Sequence, residues 1–327
     1  MTRLSIVETI EAHYLTLVID TLHRLGVLAQ LSEPRDAAWL AEALGLDAEL
    51  LAMLLGWIGE RTDLLERRAD GRYARADGRP GFLEHMLDQY VGGYGQAVGQ
   101  LEHLLKGDVV VRPDLERHAH AFSDPSAETG TQDELTGLVL AFGATHVIEL
   151  GCGGGQRLCA LADANSELYA VGIDANPFVA QAARATISQR NLDYRLSVLI
   201  GDALDQLEAM GGSETCQMVI ASSLLNEYWS EEGELAHFLT RLGTLLPGRI
   251  LLVSDYYSRL GLHNTGERPA RTLLHDLAQL ASGQGLPPPD AERWTAAYRE
   301  AGAELLQSIE ASGDGIERFI HIVKLAG

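Results

Sequence analysis

The 327-residue chain is poor in cysteine, in positive charge and in long apolar runs. Its three cysteines, Cys152, Cys159 and Cys216, are too few and too scattered for a disulfide framework or a four-cysteine zinc site. Lysine and arginine number 25 against 46 aspartates and glutamates, a formal net charge of −21. A field of that sign repels phosphate backbones and anionic lipid headgroups, which argues against nucleic-acid binding and electrostatic docking on membranes. Apolar runs such as 139–142 fall far short of the roughly 20 residues a membrane-spanning helix needs. The first residues, Met1-Thr2-Arg3-Leu4, lead into a segment carrying Glu8 and Glu11, not into the apolar core of a signal peptide. No cluster of Asp and His suggests a metal site. These absences lead us to expect a soluble, cytoplasmic protein without a metal. What remains, 46% hydrophobic and 22% charged residues, is ordinary globular usage, and the length suits two domains.

The first stretch, to about residue 77, is helical and ends in a hairpin. Ile6, Ile10, Tyr14, Leu17, Val18 and Leu22 recur at helical spacing up to Gly26. A second helix follows Pro34 and runs to Gly45; a third starts at Asp47, a fitting N-cap, and carries Leu50, Leu51, Leu54, Leu55 and Ile58. Two short segments, 64–68 and 72–75, flank Asp70-Gly71 and read as a β-hairpin. Helix, helix-turn-helix and hairpin in this order predict a winged helix. A less regular helical stretch follows, in which Tyr90 and Tyr94, four apart, share a face. Residues 112–131 are rich in Pro, His, Ser and Gly and read as a connector. The predicted organisation is a helical domain over 1–110, a connector and helix over 111–144, and a second domain over 145–327.

That last domain alternates. Strand-like runs at 147–150, 168–173, 196–200, 218–221, 250–253, 305–309 and 319–325 are separated, for the first five, by amphipathic helical runs. Such alternation predicts an α/β fold with a mainly parallel sheet covered on both faces.

The sharpest signal is Glu149-Leu150-Gly151-Cys152-Gly153-Gly154-Gly155, where an apolar strand runs through glycines into a helix. Glycines at such a turn let the backbone come close to a ligand. Strand two ends at Asp174, about 20 residues on, where a carboxylate can accept both hydroxyls of a ribose. Strand three ends at Gly201-Asp202-Ala203, where a carboxylate can reach an adenine amino group. Each acidic residue alone could be a helix N-cap. Together they outline a nucleoside site. The spacing G-x-G-x-G differs from the G-x-G-x-x-G that seats a pyrophosphate, and Glu149 would repel one. A cationic ligand with an amino-acid tail suits it better.

These motifs resemble those of the class I S-adenosylmethionine-dependent methyltransferases, over about residues 140–327, and the N-terminal part is similar to the winged-helix dimerisation domain of small-molecule O-methyltransferases. The resemblance implies a Rossmann-like, seven-stranded domain with an antiparallel final strand, a homodimer, S-adenosylmethionine as cofactor and a small secondary-metabolite-like acceptor. It places Glu149, Gly151 and Gly153 at the methionine end, Asp174 at the ribose, Asp202 and Ala203 at the adenine and Ser222 beside the sulfonium, and counts Gly155 and Ala175 among the cofactor-binding residues.

The chain departs from that family where a general-base histidine is expected. The run is Ser222-Ser223-Leu224-Leu225-Asn226-Glu227-Tyr228-Trp229, with Asn226 at the histidine's place. An amide takes no proton at neutral pH but can position a substrate. Glu227 could act as base or simply start a helix. His237 falls mid-helix, His263 lies off the motif, and His275 could enter the pocket from a helix over 272–281. Tyr14, Tyr90, Tyr94, Tyr228, Tyr256 and Tyr257 fall in regions that would surround the methyl group under the resemblance, and aromatic faces attract a sulfonium. The missing base also admits another chemistry on the same cofactor, closure of its aminobutyryl chain to a four-membered ring with release of methylthioadenosine, as in azetidine-2-carboxylate synthases. A DNA-reading role for the winged helix finds little support: its recognition helix over 47–61 carries Asp47, Glu49 and Glu60 against Arg61 alone.

Overall fold

The computed structural model describes residues 4–76, 81–99, 101–107, 131–211, 215–262, 270–313 and 316–327. They fall into two compact units, Met1–Leu87 and Asp88–Gly327. The expected boundary at residue 110 and most of the connector over 111–144 lie outside the described residues.

In the first unit, helices Ile6–Arg24, Val27–Gln30, Ala37–Leu44 and Ala48–Arg61 precede a hairpin of β1 (Leu65–Arg67) and β2 (Tyr73–Arg75), followed by helix Phe82–Leu87. The helix starts are set by side chains. Ser5 and Glu8 form a reciprocal capping box, and Asp36 and Asp47 accept the N–H groups of Trp39 and Leu50. Leu22, Leu28, Leu40, Leu55 and Ile58 fill the core. The apolar residues of the first helix do not share one fate. Leu15 and Leu22 are buried, whereas Ile6, Ile10, Tyr14 and Leu17 are exposed, Ile6 to 73%.

The second unit is built on a seven-stranded sheet of order β5-β4-β3-β6-β7-β9-β8. The strands are β3 (His146–Leu150), β4 (Tyr169–Asp174), β5 (Leu196–Ile200), β6 (Met218–Ser222), β7 (Ile250–Tyr256), β8 (Glu304–Gly313) and β9 (Ile316–Lys324). The pairings from β5 to β7 are parallel, and β9 runs antiparallel to both β7 and β8. The expected reversed final strand is therefore present, inserted between β7 and β8. Because strands alternate their side chains, Ile148 and Leu150 face one core layer with Leu239 and Trp294, while Val147 faces the other with Leu158, Leu161 and Ile220. The chain leaves β3 toward β4 and β5 on one side and returns to β6 and β7 on the other. A parallel sheet with such a reversal opens a crevice at the carboxyl ends of its strands.

Candidate functional site

The glycine turn follows the carboxyl end of β3. Gly151, Gly153 and Gly155 have φ of 65°, 55° and 79°, a left-handed backbone that side chains disfavour. Gly155 also caps helix Gln156–Ala164, and a Cβ there would stand 3.1 Å from the Cβ of Ala183. The turn is clamped onto β4. Gly151 and Cys152 donate to the carbonyl of Ile173 at 2.8 and 3.1 Å, Gly153 donates to Asp174 Oδ2 at 3.0 Å, and Gly155 donates to the carbonyl of Cys152 at 3.1 Å. With these N–H groups committed inside the protein, the turn is poorly suited to cradle a pyrophosphate.

Asp174 ends β4, half-buried, and its second oxygen accepts the N–H of Asn176 at 3.0 Å. Ala175 follows, exposed. The N–H of Gly201 donates to the carbonyl of Asp174 at 3.0 Å, which joins the ends of β4 and β5. Asp202 is an N-cap: its Oδ1 accepts the N–H groups of Leu204 and Asp205, and Ala203 packs on the core.

Glu149 is 1% exposed and paired with Arg157, whose Nη1 donates to Glu149 Oε1 at 2.5 Å. Burial pushes the Glu149 carboxyl up, and the Arg157 guanidinium opposes that shift. Arg157 Nη2 donates to Ser222 Oγ at 3.1 Å, so the motif acid, the helix after the glycines and the end of β6 meet at one point. The motif acid is thus not a bare negative charge but half of an ion pair.

Beyond β6 the chain turns sharply. Ser223 adopts φ 49°, an unusual backbone for a residue with a side chain, and donates its N–H to the carbonyl of Ser254 at 2.8 Å. Asn226 lies in a short 3₁₀ turn, Leu225–Glu227, and is buried. Its backbone N–H donates to Asp255 Oδ2 at 3.0 Å, while its Oδ1 finds no hydrogen-bond partner among the described residues. Asp255 also accepts the N–H of Tyr256, and burial pushes its carboxyl up to about 7. Glu227 accepts from Gln284 Nε2 at 2.7 Å, a structural tie to the loop after helix Ala270–Ala281.

Beside this turn sits an aromatic cluster. Tyr90, Tyr94 and Tyr256 surround the imidazole of His275 with ring centroids 6.2, 6.3 and 4.8 Å away, all edge-to-face, and Tyr90 Oη lies 3.3 Å from His275 Nδ1. Two other tyrosines belong to the core instead: Tyr228 packs on Phe238, and Tyr257 on Phe319 and His321. Tyr14 belongs to the first unit, on the exposed side of its first helix. His237 is exposed mid-helix, and His263 lies outside the described residues.

Sequence reading missed Arg157, Asp255 and Ser223. Arg157 carried a signal, a lone cation in the first turn of the helix after the glycines. Asp255 escaped because the apolar run stops at Val253 while the strand continues to Tyr256. The strain at Ser223 leaves no trace in residue type.

Residues 142–284 match the family described as a methyltransferase domain. A curated relative, "Methyltransferase ungE'" of Aspergillus campestris (strain IBT 28561), is 29% identical over 173 residues, which is 50% of this chain. The match covers about half, 49%, of that relative's length. Among solved structures, the mitomycin 7-O-methyltransferase MmcR superposes with a TM-score of 0.70 at 20% identity, covering 98% of this chain and 97% of that one. The N,N-8-amino-8-demethyl-D-riboflavin dimethyltransferase RosA from Streptomyces davawensis gives 0.62 at 20% identity over 98% and 96%. NcsB1, an O-methyltransferase from neocarzinostatin biosynthesis in complex with S-adenosyl-L-homocysteine and 1,4-dihydroxy-2-naphthoic acid, gives 0.60 at 18% identity over 95% of both chains. The fold is thus that of the Rossmann-like methyltransferases with an N-terminal helical domain.

Proposed function

We propose that this chain, which carries a methyltransferase domain over residues 142–284, is an S-adenosylmethionine-dependent methyltransferase acting on a small secondary-metabolite-like acceptor. The observation that carries the reading is the glycine turn clamped between Glu149 and Asp174 at the carboxyl ends of adjacent parallel strands. The polar residues there fit the cofactor. Glu149, Gly151 and Gly153 hold its amino-acid end, Ser222 lies beside its sulfonium, Asp174 holds its ribose and Asp202 and Ala203 its adenine, with Gly155 and Ala175 also lining the cofactor. When bound, S-adenosylmethionine supplies a methyl group already activated on a sulfonium.

The protein's task is then mainly alignment, bringing an acceptor atom to about 3–3.5 Å in line with the bond that breaks. Asn226, fixed through its backbone to Asp255, orients the acceptor by hydrogen bonding, and Glu227 is the nearest carboxylate on the same turn. The rings of Tyr90 and Tyr94 offer their faces to the sulfonium, worth about 0.5–2 kcal/mol for a desolvated cation. The N-terminal region over 1–110 serves as a winged-helix-like dimerisation and lid domain of a cytoplasmic homodimer. The exposed Ile6, Ile10 and Leu17 support the dimer. Structural neighbours named for O- and N-methylation share this fold, so the fold leaves the acceptor atom open.

The test is incubation of the pure protein with S-adenosylmethionine and a panel of phenols, hydroxyquinones and aromatic amines, with mass-spectrometric detection. S-adenosylhomocysteine and a methylated acceptor are expected. Methylthioadenosine released from the cofactor alone would replace methyl transfer by ring closure.

A further inference from the structure

Asn226 Oδ1 is a buried acceptor with nothing to accept. The residue is 1% exposed, its backbone N–H is held by Asp255, and its side-chain oxygen has no hydrogen-bond partner among the described residues. A buried acceptor without a donor is costly, and native proteins keep few of them. A second belongs to the same neighbourhood. Gln279, 2% exposed, also buries an unpartnered Oε1. It lies one turn beyond His275 on helix Ala270–Ala281. Its carbonyl accepts the N–H of Gln284, whose side chain holds Glu227, the residue after Asn226. His275 in turn packs on Tyr256, the residue after Asp255. Two separate routes through the fold thus tie Gln279 to the Asn226 turn.

The groups there that could remove a proton are already committed. Asp255 Oδ2 holds the N–H of Asn226 and Oδ1 that of Tyr256, both at 3.0 Å. Glu227 Oε1 is held by Gln284 at 2.7 Å. His275 Nδ1 lies 3.3 Å from Tyr90 Oη, its ring enclosed by three tyrosines. An amide oxygen accepts a hydrogen bond but takes no proton at neutral pH. A nucleophile served by this arrangement must bring a donor and must need no base before it attacks. A phenol can donate its O–H to the amide, but it stays weakly nucleophilic until that proton is removed. An arylamine is uncharged at neutral pH, and it can donate one N–H while keeping its lone pair free. On the methyltransferase reading above, we propose that the acceptor is an arylamine whose N–H is held by Asn226 Oδ1, and that the methyl group goes to nitrogen. The nitrogen lone pair forms the new N–C bond as the C–S bond breaks, and that electron pair leaves on the sulfur of S-adenosylhomocysteine. The extra proton on nitrogen then passes to water, which a methylated arylammonium allows at neutral pH without a base. Gln279 Oε1 takes a second donor of the same molecule, and the tyrosines around His275 give its ring an aromatic wall.

Matched pairs test this on the wild-type protein with S-adenosylmethionine: aniline and phenol, naphthylamine and naphthol, aminoquinoline and hydroxyquinoline. Within a pair that is turned over, the amine should show a kcat/KM at least about tenfold above that of the phenol. Aminophenol, which carries both groups, should gain its methyl on nitrogen, as read by fragmentation in the mass spectrometer. Asn226→Leu removes the acceptor at similar volume. It should weaken calorimetric binding of naphthylamine to the protein loaded with S-adenosylhomocysteine by at least about tenfold, and move the affinity for S-adenosylhomocysteine itself by no more than about twofold. Should that variant not fold, the wild-type pairs and aminophenol decide alone. Phenols turned over as well as their amines, or aminophenol methylated on oxygen, would overturn the proposal and leave the methyltransferase reading standing. So would a folded Asn226→Leu protein that binds naphthylamine as wild type does, or a wild-type protein that binds S-adenosylhomocysteine and methylates no amine of the set. A wild-type protein that does not bind S-adenosylhomocysteine, or that releases methylthioadenosine from the cofactor alone, would instead remove the methyltransferase reading itself.

Discussion

The carboxylate of Asp174 accepts the backbone N–H of Gly153 at 3.0 Å, across 21 residues of sequence. One side chain at the end of β4 thus holds the turn that begins at the end of β3. Asp174→Ala should weaken S-adenosylhomocysteine binding by at least tenfold, in line with about 1.5–3 kcal/mol for a hydrogen bond to a charged group. Calorimetry reads this directly. Unchanged affinity would remove Asp174 from the ribose.

Asp255 joins β7 to the Asn226 turn. Its ordinary value of 3.8 is raised to about 7, chiefly by burial. Between those values the folded state holds a proton that the unfolded state has lost. Its contribution to stability is therefore full at low pH and disappears as pH rises through about 7. Asp255→Asn cannot ionise, so its stability relative to wild type should improve between about pH 5 and pH 8. Denaturant titrations at the two pH values measure this, and a pH-independent difference would contradict it. The variant should also turn over more slowly while binding S-adenosylhomocysteine normally, because the amide cannot accept both N–H groups as the carboxylate does.

His321 titrates with the opposite sign. It is buried between the hydroxyls of Tyr257 and Tyr298, at 3.3 and 2.9 Å, and burial lowers it from 6.5 to about 4. The folded protein excludes a proton that the unfolded chain binds in this window. Stability is full above 6.5 and falls as pH drops toward 4, by about 3 kcal/mol at 1.36 kcal/mol per unit. Thermal melts of wild type should drop over this range, and those of His321→Gln should drop less. Parallel profiles would show that acid sensitivity arises elsewhere.

The exposed line of Ile6, Ile10 and Leu17 predicts assembly. Ile6→Glu/Ile10→Glu should turn a dimer into a monomer in light scattering without unfolding the protein, since neither side chain contributes to the core of its unit. A wild-type protein at monomer mass across micromolar concentrations would count against the homodimer.

Much of this was legible in the sequence because it follows from local rules. Alternating strands and helices announced the parallel sheet, Asp47 announced a helix start, and glycines at 151, 153 and 155 announced a turn that other residues could not make. The tyrosines were less legible. Tyr90, Tyr94, Tyr256 and His275 come together from distant segments, whereas Tyr228 and Tyr257, of the same residue type, pack into the core. Residue type sets what a side chain can do, and long-range packing decides which face it shows. The first helix makes the same point, since its periodicity did not separate Leu22, which faces the core of its own unit, from Ile10, which does not. Arg157 is legible only through its partner, since the sequence does not show that the helix after the glycines turns it back onto Glu149.

The central claim is methyl transfer from S-adenosylmethionine. Its most direct measurement uses methyl-labelled cofactor with pure protein, with and without the acceptor panel, and follows the label by mass spectrometry. The account predicts label in an acceptor, S-adenosylhomocysteine formed in equal amount, and a cofactor left intact when no acceptor is present. Label retained in methylthioadenosine, formed from the cofactor alone, would contradict it.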